Sequence, residues 1–123
     1  MNRRILSAFL LGASVVTLSL STPAGAVLET IEEAYELTLL QVRMPASSAD
    51  SVVVRTCATC EPVRLRVNAQ TTYRLAYGEA PVSLAEMNSF IGAIADRQDT
   101  AIAVFYEPES LVVTRIVLAT RGR

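Results

Sequence analysis

Apolar and polar residues alternate in short runs over much of the chain, and this period limits the fold more than any other feature. Tyr35, Leu37 and Leu39 alternate with Glu36 and Thr38, and Val63, Leu65 and Val67 with Arg64 and Arg66. Tyr73, Leu75 and Tyr77 alternate with Arg74 and Ala76, and Ile102, Val104 and Tyr106 repeat the pattern. Val52 and Val54 sit beside Val53 and Arg55. A period of two sends one row of side chains to a core and the other to water, which is a strand half-buried in a sheet. Strands are expected at 51–56 and 62–67. Segment 110–119 is a long β-branched run, and Glu107-Pro108-Glu109-Ser110 before it has turn chemistry. The spacing therefore predicts a C-terminal hairpin over 101–119.

One segment has helical spacing. Ser83-Leu84-Ala85-Glu86 is a capping box, and Leu84, Met87, Ile91 and Ile94 then share one stripe with Phe90 beside it. A helix is expected over 84–95, with Pro81 ending the strand before it. Residues 28–42 fit two patterns. Leu28, Ile31, Tyr35, Leu39 and Val42 have helical spacing, but Tyr35–Val42 is rich in strand formers, so a strand over 34–43 is favoured. Strands come in runs without alternating helices. The expected class is α+β: a small single domain, mainly an antiparallel sheet of five to six strands, with one packed amphipathic helix.

The start of the chain reads as an address. Met1-Asn2-Arg3-Arg4 is basic, Ile5–Leu20 is mostly apolar, and Ala24-Gly25-Ala26 follows Pro23. A basic start, an apolar stretch and an A-x-A site define a secretory signal peptide. The apolar stretch is shorter than the roughly 20 residues that span a bilayer. Residues 1–26 are read as a cleaved signal peptide and 27–123 as one exported domain, periplasmic or secreted from a bacterium. No stable membrane insertion is expected after cleavage. Cleavage removes two of the eleven arginines and none of the twelve acids, which leaves a net charge of −3. An acidic domain is a poor nucleic-acid binder over its surface as a whole. The chain has no His, Lys or Trp, so no His-based triad or metal site exists within it.

Cys57-Ala58-Thr59-Cys60 is the one constellation with evident chemistry. In an exported protein the default is a disulfide, here stapling the turn between two strands. The spacing is also that of redox-active dithiols. Those place the first Cys at a helix N-terminus to lower its pKa, whereas Glu61-Pro62 and an alternating strand follow here. Half of a metal site is a third reading, but two thiolates fall short of the four ligands zinc takes. A second copy would have to complete it, or Met44 and Met87 would join the cysteines around a soft metal such as Cu(I). Met87 belongs to the helix stripe and Met44 ends a strand, so no cofactor is expected.

Arg55, Arg64, Arg66 and Arg74 fall on the solvent side of neighbouring strands. They form a candidate face for a small anionic ligand or an acidic protein partner. The competing reading is a solvated face with arginine heads paired to Glu36 or Glu61. The acid pairs Glu32-Glu33, Asp96 with Asp99, and Glu107 with Glu109 lie at element ends, where solvation is the usual role. Tyr73 and Tyr77, flanking Leu75, are expected in the core. The expectation is a non-enzymatic binding or structural module stapled by Cys57–Cys60. A thiol–disulfide protein and an arginine-based anion binder stand as alternatives. Open strand edges leave room for self-association.

Overall fold

The computed structural model describes Gly25 and residues 31–119. The expected signal peptide and its cleavage site at Ala26 lie outside the described residues, apart from Gly25. In chain order the elements are β1 (Glu33–Thr38), a 3-10 turn (Leu39–Gln41), β2 (Val42–Arg43), β3 (Ser51–Val54) and β4 (Val63–Arg66). They continue with β5 (Thr72–Arg74), α1 (Leu84–Gly92), β6 (Ala101–Glu107) and β7 (Val112–Ala119). The fold is α+β: one helix and a mixed sheet of seven strands. The sheet is thus larger than the five to six strands expected.

The sheet runs β1-β6-β7-β4-β3-β2, and β5 also pairs with β7. β1, β6 and β7 form one antiparallel set, and β2, β3 and β4 another. The two sets join in parallel through β7, against β4 at Arg66↔Val112 and against β5 at Thr72↔Arg115 to Arg74↔Val117. β4 and β5 thus share one edge of β7 in succession. The first and last strands of the path are consecutive in sequence, so the sheet is rolled until its ends are linked through the 3-10 turn.

That turn breaks the strand expected over 34–43. Leu39 is buried and Leu40 is exposed, which keeps the alternation. But the Thr38 N–H donates to the Gln41 side-chain oxygen at 2.9 Å, which bends the chain out of the β1 ladder. Gln41 in turn donates to the Thr56 carbonyl at 3.1 Å, which ties the bend to the end of β3.

β7 is the centre of the sheet. Ile116, Val117 and Leu118 are all fully buried, although neighbours on a strand point to opposite faces. This explains a β-branched run where other strands alternate. Rows from Leu37, Leu39, Val52, Val54, Leu65, Ile102, Val104 and Ile116 meet in one core. Met87 and Ile91 of α1 close onto that core, so both belong to the helix's apolar stripe as expected.

α1 starts where the capping residues put it, with the Ser83 hydroxyl accepting the Glu86 N–H at 3.1 Å. It ends at Gly92 and not at 95. The Ala93 and Ile94 N–H groups bond three residues back, to Phe90 and Ile91, which tightens and closes the last turn. The alternation at Tyr73–Tyr77 is also cut short. β5 stops at Arg74, and Gly78 turns the chain with φ +79, a conformation that suits glycine. Tyr73 is buried as expected, but Tyr77 stands in that turn and is exposed. The C-terminal hairpin forms as expected, with its turn extended to Leu111.

Candidate functional site

A disulfide joins Cys57 and Cys60, whose Cα atoms are 5.0 Å apart. It closes a turn in the 55–62 connection between β3 and β4, and the Cys60 N–H donates to the Cys57 carbonyl at 3.2 Å. Cys57 is exposed and Cys60 half-buried. No helix follows the pair; the chain passes through Glu61-Pro62 directly into β4. The helix dipole that lowers the thiol pKa in redox-active pairs is therefore missing here.

The two strands leaving this loop carry the arginines. Register places Arg43 opposite Val53, and Val53 opposite Arg64, in one row across β2, β3 and β4. Arg66 lies opposite Ser51, two residues along from Arg64. Arg55 follows Val53 by two residues, and its N–H donates to the Gln41 carbonyl at 2.9 Å. The residues that alternate with this set, Val42, Val52, Val54 and Leu65, are buried. Arg43, Arg55, Arg64 and Arg66 therefore share the outer face of the ribbon, and all four are exposed.

The structure thus brings three of the four arginines read from sequence together and adds Arg43. It places Arg74 elsewhere: β5 pairs with β7, and the Arg74 guanidinium donates to the Glu79 carbonyl in the following turn. Among the described residues the ion pair is Arg115 with Glu32 at 3.1 Å, and none of the four ribbon arginines is in one. Arg66 donates to the Ser110 carbonyl at 3.3 Å, which positions it without neutralising it. Asp50 is the acid that feels this face. Its oxygens accept the Ala46 and Ser51 N–H groups at 3.0 and 2.8 Å. Those bonds hold its pKa below the ordinary 3.8, with help from the fields of Arg43 and Arg64.

At the disulfide end of the face lies a groove of about 350 Å³, lined by Leu40, Arg43, Val53, Arg55 and Pro62 among others. Leu40, 64% exposed, forms an apolar rim, and two guanidinium groups flank an apolar floor. A second cleft of about 300 Å³ lies by the start of α1, between Asn68, Thr71, Tyr73 and Ser83. Asn68, Thr71 and Ser83 are spent locally, since Asn68 accepts the Gln70 N–H, Thr71 bonds Val113, and Ser83 caps the helix, whereas the buried Tyr73 hydroxyl has no partner among the described residues. It has no charged lining residue.

The remaining candidates have structural partners. Glu33 accepts the Tyr106 hydroxyl at 2.8 Å, and Glu32 pairs with Arg115 and Thr114. Tyr35 stacks on Tyr106 with ring centres 5.1 Å apart. Met44 packs partly buried against the core. Among the described residues no helix is long and apolar enough to cross a membrane.

Comparison with protein-family models, with characterised proteins and with solved structures finds no match for this chain. Its function is therefore read from the site alone.

Proposed function

We propose that this protein is a small exported binding module, periplasmic or secreted, that takes an anionic partner on the outer face of the β2–β4 ribbon. One observation carries the reading: Arg43, Arg55, Arg64 and Arg66 share one exposed face with no ion pair among the described residues, on a protein whose net charge is negative. Four like charges held together repel one another, and an anion relieves that repulsion. The Cys57–Cys60 disulfide supports the face as a staple, because it fixes the loop between Arg55 and Arg64. A thiol–disulfide function is the weaker reading, since extended chain follows the pair where a redox protein needs a helix N-terminus.

The test is retention on an immobilised sulfated polyanion, using protein recovered from the periplasm or medium of an expressing bacterium. Wild type is retained at about 0.1 M salt, where screening acts over roughly 10 Å. The double variant Arg64→Glu, Arg66→Glu passes through with an unchanged circular dichroism spectrum. Equal retention of the two proteins would refute the reading.

A further inference from the structure

The arginine array has a shape as well as a charge, and the shape selects among anions. Strands lie about 4.8 Å apart and rise about 3.4 Å per residue, so Arg43 and Arg64 sit about 10 Å apart across the ribbon. Register extends the array about 14 Å along the strands, from the level of Arg55 to that of Arg66. An extended ligand with repeated charges matches that spread of attachment points along its whole length.

Two further observations narrow the class. The outer row (Arg43, Ser51, Val53, Arg55, Arg64, Arg66) contains no aromatic ring. Nucleobases and sugar rings are commonly gripped by stacking on aromatic side chains, and this row offers none. The groove beside Arg43 and Arg55 is instead floored and rimmed by Val53, Leu40 and Pro62. Leu40 is a large apolar side chain left 64% exposed at its edge. Aliphatic walls between two guanidinium groups suit an aliphatic side chain with acids on either side.

We infer that the ligand of this face is an extended acidic peptide segment, with acidic residues at every second position and an aliphatic residue seated in the groove between Arg43 and Arg55. The inference rests on the proposed anion-binding role and specifies its ligand. In an extended peptide every second side chain points the same way, about 6.8 Å apart, the same repeat that separates Arg64 from Arg66. Asp50 lies beside Ser51, at the other end of β3 from Arg55, and it feels the fields of Arg43 and Arg64 but not that of Arg55. The groove end, at Arg55 and Pro62, is the anchor.

The probe is a synthetic peptide alternating glutamate and serine, with one central leucine, titrated by fluorescence anisotropy. The comparison ligands are the same peptide with serine at the centre, a heparin oligosaccharide of similar charge, and inorganic phosphate. The leucine peptide is expected to bind at least tenfold more tightly than the serine peptide. Leu40→Ser, a surface change that spares the core, should abolish that difference by weakening binding of the leucine peptide. Arg55→Glu should weaken both peptides more than tenfold. Three outcomes overturn the inference: equal binding of the two peptides, tighter binding of the oligosaccharide, or full displacement by phosphate at a matched charge concentration. Tight oligosaccharide binding without peptide binding would leave the anion-binding reading standing. Failure of every anion would remove both.

Discussion

The Thr71 hydroxyl donates to the Val113 carbonyl at 2.8 Å, and this bond bridges the gap where β4 has left the edge of β7 and β5 has not yet joined it. Thr71 is buried, and its oxygen also accepts the Asn68 N–H at 3.0 Å. One side chain thus replaces the backbone pairing missing from the parallel edge. Thr71→Val keeps the shape and leaves two backbone groups without partners. A loss of about 1–3 kcal/mol is expected in chemical denaturation. A loss below a few tenths would show that water replaces the hydroxyl.

Tyr106 makes stability sensitive to alkali. Its hydroxyl is held well above the ordinary value of 10.0, first by the bond to Glu33, then by burial and by Tyr35. Burial raises Tyr73 in the same direction. A phenol whose folded pKa exceeds its unfolded one contributes stability that is complete below about pH 10. That contribution is lost as pH rises above 10 toward the folded value. Tyr106→Phe keeps the stack on Tyr35, costs about 1 kcal/mol at neutral pH, and flattens the fall of Tm between pH 9 and 11. An equally steep fall in the variant would show that Tyr106 does not set the alkaline limit.

The Cys57–Cys60 bond closes a very short loop, for which the chain-entropy estimate is about 2 kcal/mol. The double variant Cys57→Ser, Cys60→Ser should lose about that much and remain folded, because the core rows lie outside the loop. A staple of this kind has a reduction potential below about −300 mV. A potential between about −200 and −120 mV would favour the thiol–disulfide reading.

Asp50 links stability to binding with opposite signs. Its folded pKa lies below its unfolded one, so its contribution is present above the unfolded value and disappears as pH falls through the folded value. Asp50→Asn should lower Tm at pH 7, and the difference should shrink as pH falls through the folded value. The same variant removes a negative charge beside Arg43 and Arg64, so retention on a polyanion should increase. Weaker retention would mean that Asp50 serves the site by ordering the loop.

The fold was legible wherever one physical cause set the pattern. Half-buried strands alternate, the buried centre of the sheet at Ile116, Val117 and Leu118 runs apolar throughout, and Ser83 caps its helix. It was less legible where a local bond overrode the period. The alternation through Leu39 hides the bend that the Thr38–Gln41 bond imposes, and alternation through Tyr77 gives no sign that β5 stops at Arg74. Arg43 was missed for the same reason. A strand of two residues is too short to show a period, and only its pairing with Val53 puts Arg43 beside Arg55 and Arg64. Arg74 shares the alternation of the others but pairs into a different part of the sheet, and no local pattern encodes which strands become neighbours.

The outer face of β2, β3 and β4 is the binding surface proposed for this protein. An amide chemical-shift titration of the isotope-labelled protein with the alternating glutamate peptide maps that surface residue by residue. Shifts are expected to concentrate at Leu40, Arg43, Val53, Arg55, Arg64 and Arg66, and to fade in high salt. Shifts centred instead on the cleft at Asn68, Tyr73 and Ser83, or spread evenly over the surface, would contradict that proposal.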